Sequence, residues 1–374
     1  MFPKYFSIKN LTRFTLNTRC KNCINYRFKY ATSLVLCLSV SILGCSHVSR
    51  DERYSSSKQY DRVSASFHNS NGSQNSKSFF DFLSFLQKFI LRTADPLEKE
   101  GFPWRKPDLH FSSEQPSVTW IGHSTLLVRF HEKTLLTDPI FSTRASPFSI
   151  IGPKRVIPPA LSLDELPPID FVVISHSHYD HLDLKTIKKL AIKSEKTVFF
   201  VPLGLKDLLE GAGARKVFEL DWWDEVRLGD IKFIATPAHH WSARSLLDRN
   251  KSLWASWMVV SQQFRFWFGG DTGYSDDFAE IRKRVGEPDL AAIPIGAYSP
   301  RAFMKNSHVN PGEAVDIFLD LGAKKAVAIH WGTFKLSTEL LDEPPKKLQS
   351  ALEAKNIRQD LFRVLDHGET LFIN

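Results

Sequence analysis

Phe171-Val172-Val173-Ile174-Ser175-His176-Ser177-His178-Tyr179-Asp180-His181 is the stretch from which the fold is read. Its first half is a short apolar run with β-branched residues, the pattern of a strand buried on both faces. Its second half places three His and one Asp between positions 176 and 181. On an extended turn His176 and His178 project to the same side, and Asp180 and His181 reach a second point nearby. Burying four such side chains without a partner would be costly, so a bound cation is expected. Imidazole and carboxylate without thiolate suit Zn²⁺, and Mn²⁺ or Fe fits the same donors.

Outward from this run the chain repeats one device: an apolar strand that ends on a His or Asp. Strands are expected at Val118–Ile121 and Leu126–Phe130 around Gly122-His123-Ser124, and at Thr134–Thr137 before Asp138-Pro139. Further strands are expected at Thr197–Val201, Ile231–Ala235, Phe264–Phe268, Leu290–Pro294 and Ala326–Ile329. Leu184–Ile192 reads as a helix. Pro311–Leu321 reads as another, with Pro at its start and Gly322 after it. A layered α/β scaffold builds a site from scattered strand ends in this way.

The quoted run resembles the signature of the metallo-β-lactamase superfamily. The later clusters Thr236-Pro237-Ala238-His239-His240-Trp241, Gly269-Gly270-Asp271-Thr272-Gly273 and Ile329-His330-Trp331-Gly332 follow in the family's order. The resemblance implies a four-layer αββα sandwich and two zinc ions. One ion would be held by His176, His178 and His240, the other by Asp180, His181 and His330, with Asp271 bridging. His239 is the alternative to His240. His123 and Asp138 would orient metal-bound imidazoles. Turn chemistry is the plainer role for both. Trp120-Ile121-Gly122-His123-Ser124-Thr125, Thr137-Asp138-Pro139, Ala238–Arg244 and Ser307-His308-Val309-Asn310-Pro311 narrow the resemblance to the branch of N-acyl phosphatidylethanolamine-hydrolysing phospholipases D.

That branch implies phosphodiester hydrolysis through a bridging hydroxide, with Asp180 and Asp271 as catalytic carboxylates. His308 would position phosphate or protonate the leaving alkoxide; its plainer role is to cap the helix at Pro311. Two divalent ions, less the charge of two carboxylates, would lower the pKa of a bound water and stabilise an anionic transition state. Trp222, Trp223 and Trp241 would line an acyl groove or simply pack in the core. A lactonase or phosphate-ester hydrolase acting on a small soluble substrate is the alternative. A metal-binding, membrane-associated protein without catalysis is the alternative of another class.

Charge and leader bound the rest. The formal charge of +8 comes largely from the N-terminus, where residues 1–44 hold seven basic residues and no acidic one. The remainder is close to neutral, which argues against nucleic acid as a partner. No protein partner is inferred. The apolar run from Ala31 to Gly44 has the length of a signal-peptide core and ends in Ile42-Leu43-Gly44-Cys45, similar to a bacterial lipobox. Residues 1–44 are therefore expected to be a lipoprotein signal, with Cys45 lipidated and the protein anchored in the cell envelope. Ser46, where Asp is associated with inner-membrane retention, tips that expectation toward the outer membrane. Residues 45–78 read as a disordered tether, because they are rich in Ser, Asn and Gln and poor in aliphatics. Residues 79–110 read as an apolar helix and lead-in, with Phe79, Phe82, Leu83, Leu86 and Ile90 on one face docked on the domain or resting on a membrane. Residues 111–374 are the expected hydrolase domain, which would meet phospholipid at the membrane.

Overall fold

The computed structural model describes residues 52–75, 78–91, 95, 97, 102, 104–109 and 115–373. The expected signal and Cys45 lie outside the described residues. A hairpin of β1 (Tyr60–Asp61) and β2 (Ser66–Phe67) comes first, then helix α1 (Phe79–Ile90). The first large sheet begins with β3 (Ser117–Gly122), β4 (Thr125–Phe130) and β5 (Lys133–Thr137), which pair antiparallel in sequence. It continues in parallel through β6 (Phe171–Val173), β7 (Val198–Pro202) and β8 (Lys216–Leu220), with α2 (Leu184–Lys193) and α3 (Lys206–Gly211) as crossovers.

The second sheet runs antiparallel through β9 (Glu225–Leu228), β10 (Ile231–Thr236), β11 (Ser256–Val260) and β12 (Arg265–Phe268). After α4 (Asp277–Val285) it becomes parallel at β13 (Leu290–Pro294). The short helix α5 (Arg301–Met304) and α6 (Pro311–Asp320) precede β14 (Lys325–Ile329), and α7 (Glu343–Ala354) precedes β15 (Phe362–Arg363). Strand β16 (Thr370–Phe372) returns to pair with β3, so each large sheet has seven strands.

Side-chain alternation assigns the layers. Trp120, Leu126, Val128, Leu135, Phe171, Val173 and Phe200 point between the sheets. Leu127, Leu136, Val172, Phe199 and Val201 point the other way, onto Ile187 and Leu190 of α2 and Leu209 of α3. The second sheet is covered by Phe278 and Ile281 of α4, Val315 and Ile317 of α6, and Leu348 and Leu352 of α7. Across the middle, Phe200 and Phe233 stack with centroids 3.9 Å apart. The fold is the expected αββα sandwich.

Two expectations are corrected N-terminal to it. Residues 52–75 are not a loose tether: they fold onto the sandwich and belong to one compact unit that runs from Asp51 to Asn374. Tyr54, Tyr60 and Phe67 form a ring cluster with centroids 5.1–5.9 Å apart, and Phe67 is fully buried. Three buried rings supply the apolar surface that the aliphatic count missed. Helix α1 forms, closed at its start by a reciprocal pair between Ser78 and Asp81. Of its expected docking face, Leu83, Leu86 and Ile90 are exposed, and the side chains of Phe79 and Phe82 lie outside those described. Phe85 stacks on Phe303 of the domain at 4.7 Å.

Candidate metal centre

The strands deliver their polar ends to one edge of the sandwich. His176–His181 follow β6, His240 follows β10, Asp271 follows β12 and His330 follows β14. His123, in the β3–β4 turn, accepts the backbone N–H of His330 at 3.1 Å through its own main-chain oxygen. His123 and His330, with Asp138 at the end of β5, sit at positive φ (56°, 61° and 33°). Left-handed backbone at non-glycine residues is tolerated where surrounding contacts hold it, often at functional sites. Gly270, beside Asp271, also has positive φ, and a Cβ there would lie 2.4 Å from the Cβ of Ser175. The β6 and β12 ends can approach this closely only with glycine.

Two donor groups result. In the first, His176 Nε2 lies 2.8 Å and His240 Nε2 lies 3.3 Å from His178 Nδ1. His240 donates its Nδ1 proton to the Ser307 carbonyl at 2.8 Å, and His176 Nδ1 meets Ser175 Oγ at 2.9 Å. Those bonds leave the Nε2 lone pairs of both rings aimed at the same point as His178. In the second, Asp180 Oδ2 is 3.4 Å from His181 Nε2 and 3.3 Å from His330 Nε2. Asp271 lies between the groups: Oδ2 is 3.2 Å from His181 and 3.8 Å from His240, while Oδ1 is 3.1 Å from His330. His176–His178–His240 and Asp180–His181–His330 with His123 are each close enough to share one ion.

Electrostatics favour cation binding. Burial drives His176 far below its ordinary pKa and holds His178 near 4 and His240 near 3, so their rings are neutral donors of lone pairs. Burial would do the same to His330, but Asp271 and the hydrogen bond to Asp180 lift it to about 9. His181 is likewise raised against burial by Asp271, Asp180 and Asp138. Asp180 and Asp271 are held well below the carboxylate range, against burial, above all by His181. The positive charge these carboxylates demand is what a divalent ion supplies. Buried atoms with no hydrogen-bond partner among the described residues, including His181 Nε2 and Asp271 Oδ1, face the same space. The residues fit a metal.

The neighbours divide. Asp138 Oδ2 accepts from His181 Nδ1 at 2.6 Å, which fixes the orientation of that imidazole. His123 Nε2 meets Asp180 Oδ2 at 3.1 Å, and its ring packs on that of His330 with centroids 4.2 Å apart, so it borders both a carboxylate and an imidazole of the second group. His239 turns away, with Nε2 3.3 Å from Ser73 Oγ. His308 Nδ1 lies 3.7 Å from Asp271 Oδ2. It does not cap α6, because Asn310 and Glu313 do. Of the three tryptophans, Trp241 stands beside His178 with centroids 4.3 Å apart. Trp222 is a core residue donating to the Trp254 carbonyl, and Trp223 stacks under Arg284.

Sequence reasoning missed Ser175, which holds both Asp138 oxygens through its N–H (2.7 Å) and Oγ (2.5 Å). It also missed Arg244, stacked over Tyr179 at 4.1 Å and donating to the Ser177 and Leu182 carbonyls. Ser175 could have been read from its place between the strand and His176; Arg244 closes the Ala238–Arg244 run, which narrowed the resemblance without assigning this side chain a role.

The β-lactamase superfamily domain matches residues 133–331. The N-acyl-phosphatidylethanolamine-hydrolyzing phospholipase D 1 of Caenorhabditis elegans is 42% identical over 264 residues, 67% of this chain and 74% of the relative. The N-acyl-phosphatidylethanolamine-hydrolyzing phospholipase D, mitochondrial, of Saccharomyces cerevisiae is 39% identical over 63% of this chain, which spans only 51% of that relative. A possible metal-dependent hydrolase from Veillonella parvula superposes with a TM-score of 0.57 at 18% identity, over 69% of this chain and 99% of that one, and supports the fold alone. The chain belongs to the metallo-β-lactamase superfamily and is a metal-dependent hydrolase of that fold.

Proposed function

We propose that the protein is a dinuclear zinc phosphodiesterase of phospholipase D type that cleaves N-acyl phosphatidylethanolamine-like lipids. The observation that carries this reading is the place of Asp271: one carboxylate reaches both donor groups and also faces His308. Two zinc ions bound there would supply an activated water and a positive field for a phosphoryl group. The chain's own residues would do the rest. His176, His178 and His240 would hold one ion, and Asp180, His181 and His330 the other. Burial keeps His308 near a pKa of 3 and hence neutral. It therefore offers one N–H to a phosphoryl oxygen, which favours phosphate positioning over proton delivery.

Likeness to the nematode and yeast phospholipases supports the lipid substrate. So do the apolar side chains that α1 and the Leu246-Leu247 loop present to solvent, near Phe303 and Arg244 respectively. Among the described residues no helix is long and apolar enough to cross a membrane. Envelope attachment through lipidated Cys45 is proposed on the leader alone, and mass spectrometry of the membrane-extracted protein would test it. The substrate is tested with purified, fully metallated protein and vesicles holding N-acyl phosphatidylethanolamine. Release of phosphatidic acid, lost in Asp271→Ala, is expected. Release that survives Asp271→Ala sinks the mechanism. Turnover of lactones or small phosphodiesters but not the lipid sinks the substrate assignment.

A further inference from the structure

The folded N-terminal arm reaches the metal centre. Asn69, fully buried, accepts the His240 backbone N–H and the Trp254 Nε1–H, both at 2.9 Å, and donates to the His240 carbonyl at 3.1 Å. Asn75, 5% exposed, donates one Nδ2 hydrogen to the same His240 carbonyl at 3.0 Å and the other to the Asn306 carbonyl at 2.7 Å. Its own Oδ1 has no hydrogen-bond partner among the described residues, so the amide acts here purely as a double donor. Arg249 holds the Asn75 carbonyl at 2.7 Å.

The two carbonyls that Asn75 joins are not arbitrary. One belongs to His240 itself. The other is next to Ser307, whose carbonyl takes the His240 Nδ1 proton and so turns the Nε2 lone pair toward His178. One residue further is His308, which faces Asp271. Asn75 thus ties together both ends of the hydrogen bond that sets the His240 tautomer. Neither asparagine lies within residues 133–331, where the superfamily domain matches.

We propose that Asn75, supported by Asn69, is a positioning residue that clamps the His240 segment to the 306–308 segment and thereby holds His240 in ion-binding register. The proposal rests on the metal centre and is independent of which ester is cut. Groups that orient a ligand from outside change metal affinity by roughly ten- to a hundredfold.

The test uses the full chain with Asn75→Gly and Asn75→Asp. Position 75 has φ 49°, which Gly adopts freely and Asp tolerates. Asp matches Asn in size but turns an oxygen toward two carbonyl oxygens. Zinc loss to excess chelator should quicken about tenfold or more in both variants. Turnover by the loaded enzyme should fall mainly in kcat. Amide exchange of the metal-free protein should rise together over 238–242 and 305–309 in both. Wild-type rates of zinc loss in Asn75→Asp would mean that Asn75 only fills space and would overturn the proposal. Unchanged exchange in Asn75→Gly would overturn it too. If Asn75→Asp does not fold, Asn75→Gly and its exchange pattern decide alone. Failure of lipid hydrolysis with normal zinc kinetics would count against the substrate reading and leave this test standing.

Discussion

Replacing Asp138 by Asn should weaken one ion selectively. In the native site Asp138 Oδ1 accepts the Ser175 N–H at 2.7 Å, while Oδ2 accepts Ser175 Oγ–H at 2.5 Å and His181 Nδ1–H at 2.6 Å. The Ser175 N–H is a fixed donor, so the substituted amide would keep its oxygen there and turn its NH₂ toward His181. His181 Nδ1 must then accept, which moves the ring proton to Nε2, the atom that faces Asp271 and Asp180 at 3.2 and 3.4 Å. That tautomer blocks the ion. A hydrogen bond to a charged group contributes about 1.5–3 kcal/mol. Loss of a group that orients a metal ligand costs roughly ten- to a hundredfold in affinity, the same range once converted. The expected change is about 2 kcal/mol, or roughly thirtyfold. The assay is chelator competition followed by metal analysis, which should leave one ion per chain in Asp138→Asn at a chelator concentration that leaves two in wild type. Unchanged affinity for the second ion would refute the tautomer argument.

Three further outcomes follow from the same geometry. His240→Ala should lose the ion shared with His176 and His178, whereas His239→Ala should keep both, because His239 faces Ser73; metal content after dialysis distinguishes them. His367, buried among Trp120, Trp331 and Phe102, is pushed down to about 3 by burial and the nearby Arg155 charge. A depressed His pKa means that the unfolded chain, near 6.5, binds the extra proton, so this contribution is whole above pH 6.5 and is lost as pH falls toward 3. The stability gap between wild type and His367→Phe should therefore shift by about 3 kcal/mol against wild type from about pH 7 to about pH 4, read by urea melts at both. Phe233→Ala, which removes the ring stacked on Phe200 and packed 4.9 Å from Phe171, should cost about 3–5 kcal/mol in the same melts.

The central strands and their cargo were legible because burial writes apolar runs and the site writes His and Asp at their ends. Phe171–Ile174, Leu290–Pro294 and Ala326–Ile329 fall within a residue of β6, β13 and β14. The strands that escaped include all four sheet edges: β8 and β16 on one sheet, β9 and β15 on the other. Edge strands such as Lys216–Leu220 and Glu225–Leu228 carry charge toward solvent, so their patterns read as loop. The arm failed for another reason. Its order comes from Tyr54, Tyr60 and Phe67 and from amides that satisfy distant backbone, such as Asn69 on His240, 171 positions away. Composition cannot display a hydrogen bond of that range. Tyr and Phe spaced at six or seven positions were the available signal.

Hydrolysis of N-acyl phosphatidylethanolamine in ¹⁸O-labelled water, followed by mass spectrometry of both products, tests the phosphodiesterase reading most directly. Water attack at phosphorus predicts one ¹⁸O in the phosphate of the released phosphatidic acid and none in the N-acylethanolamine. Label in the N-acylethanolamine, or products free of phosphatidic acid, would contradict it.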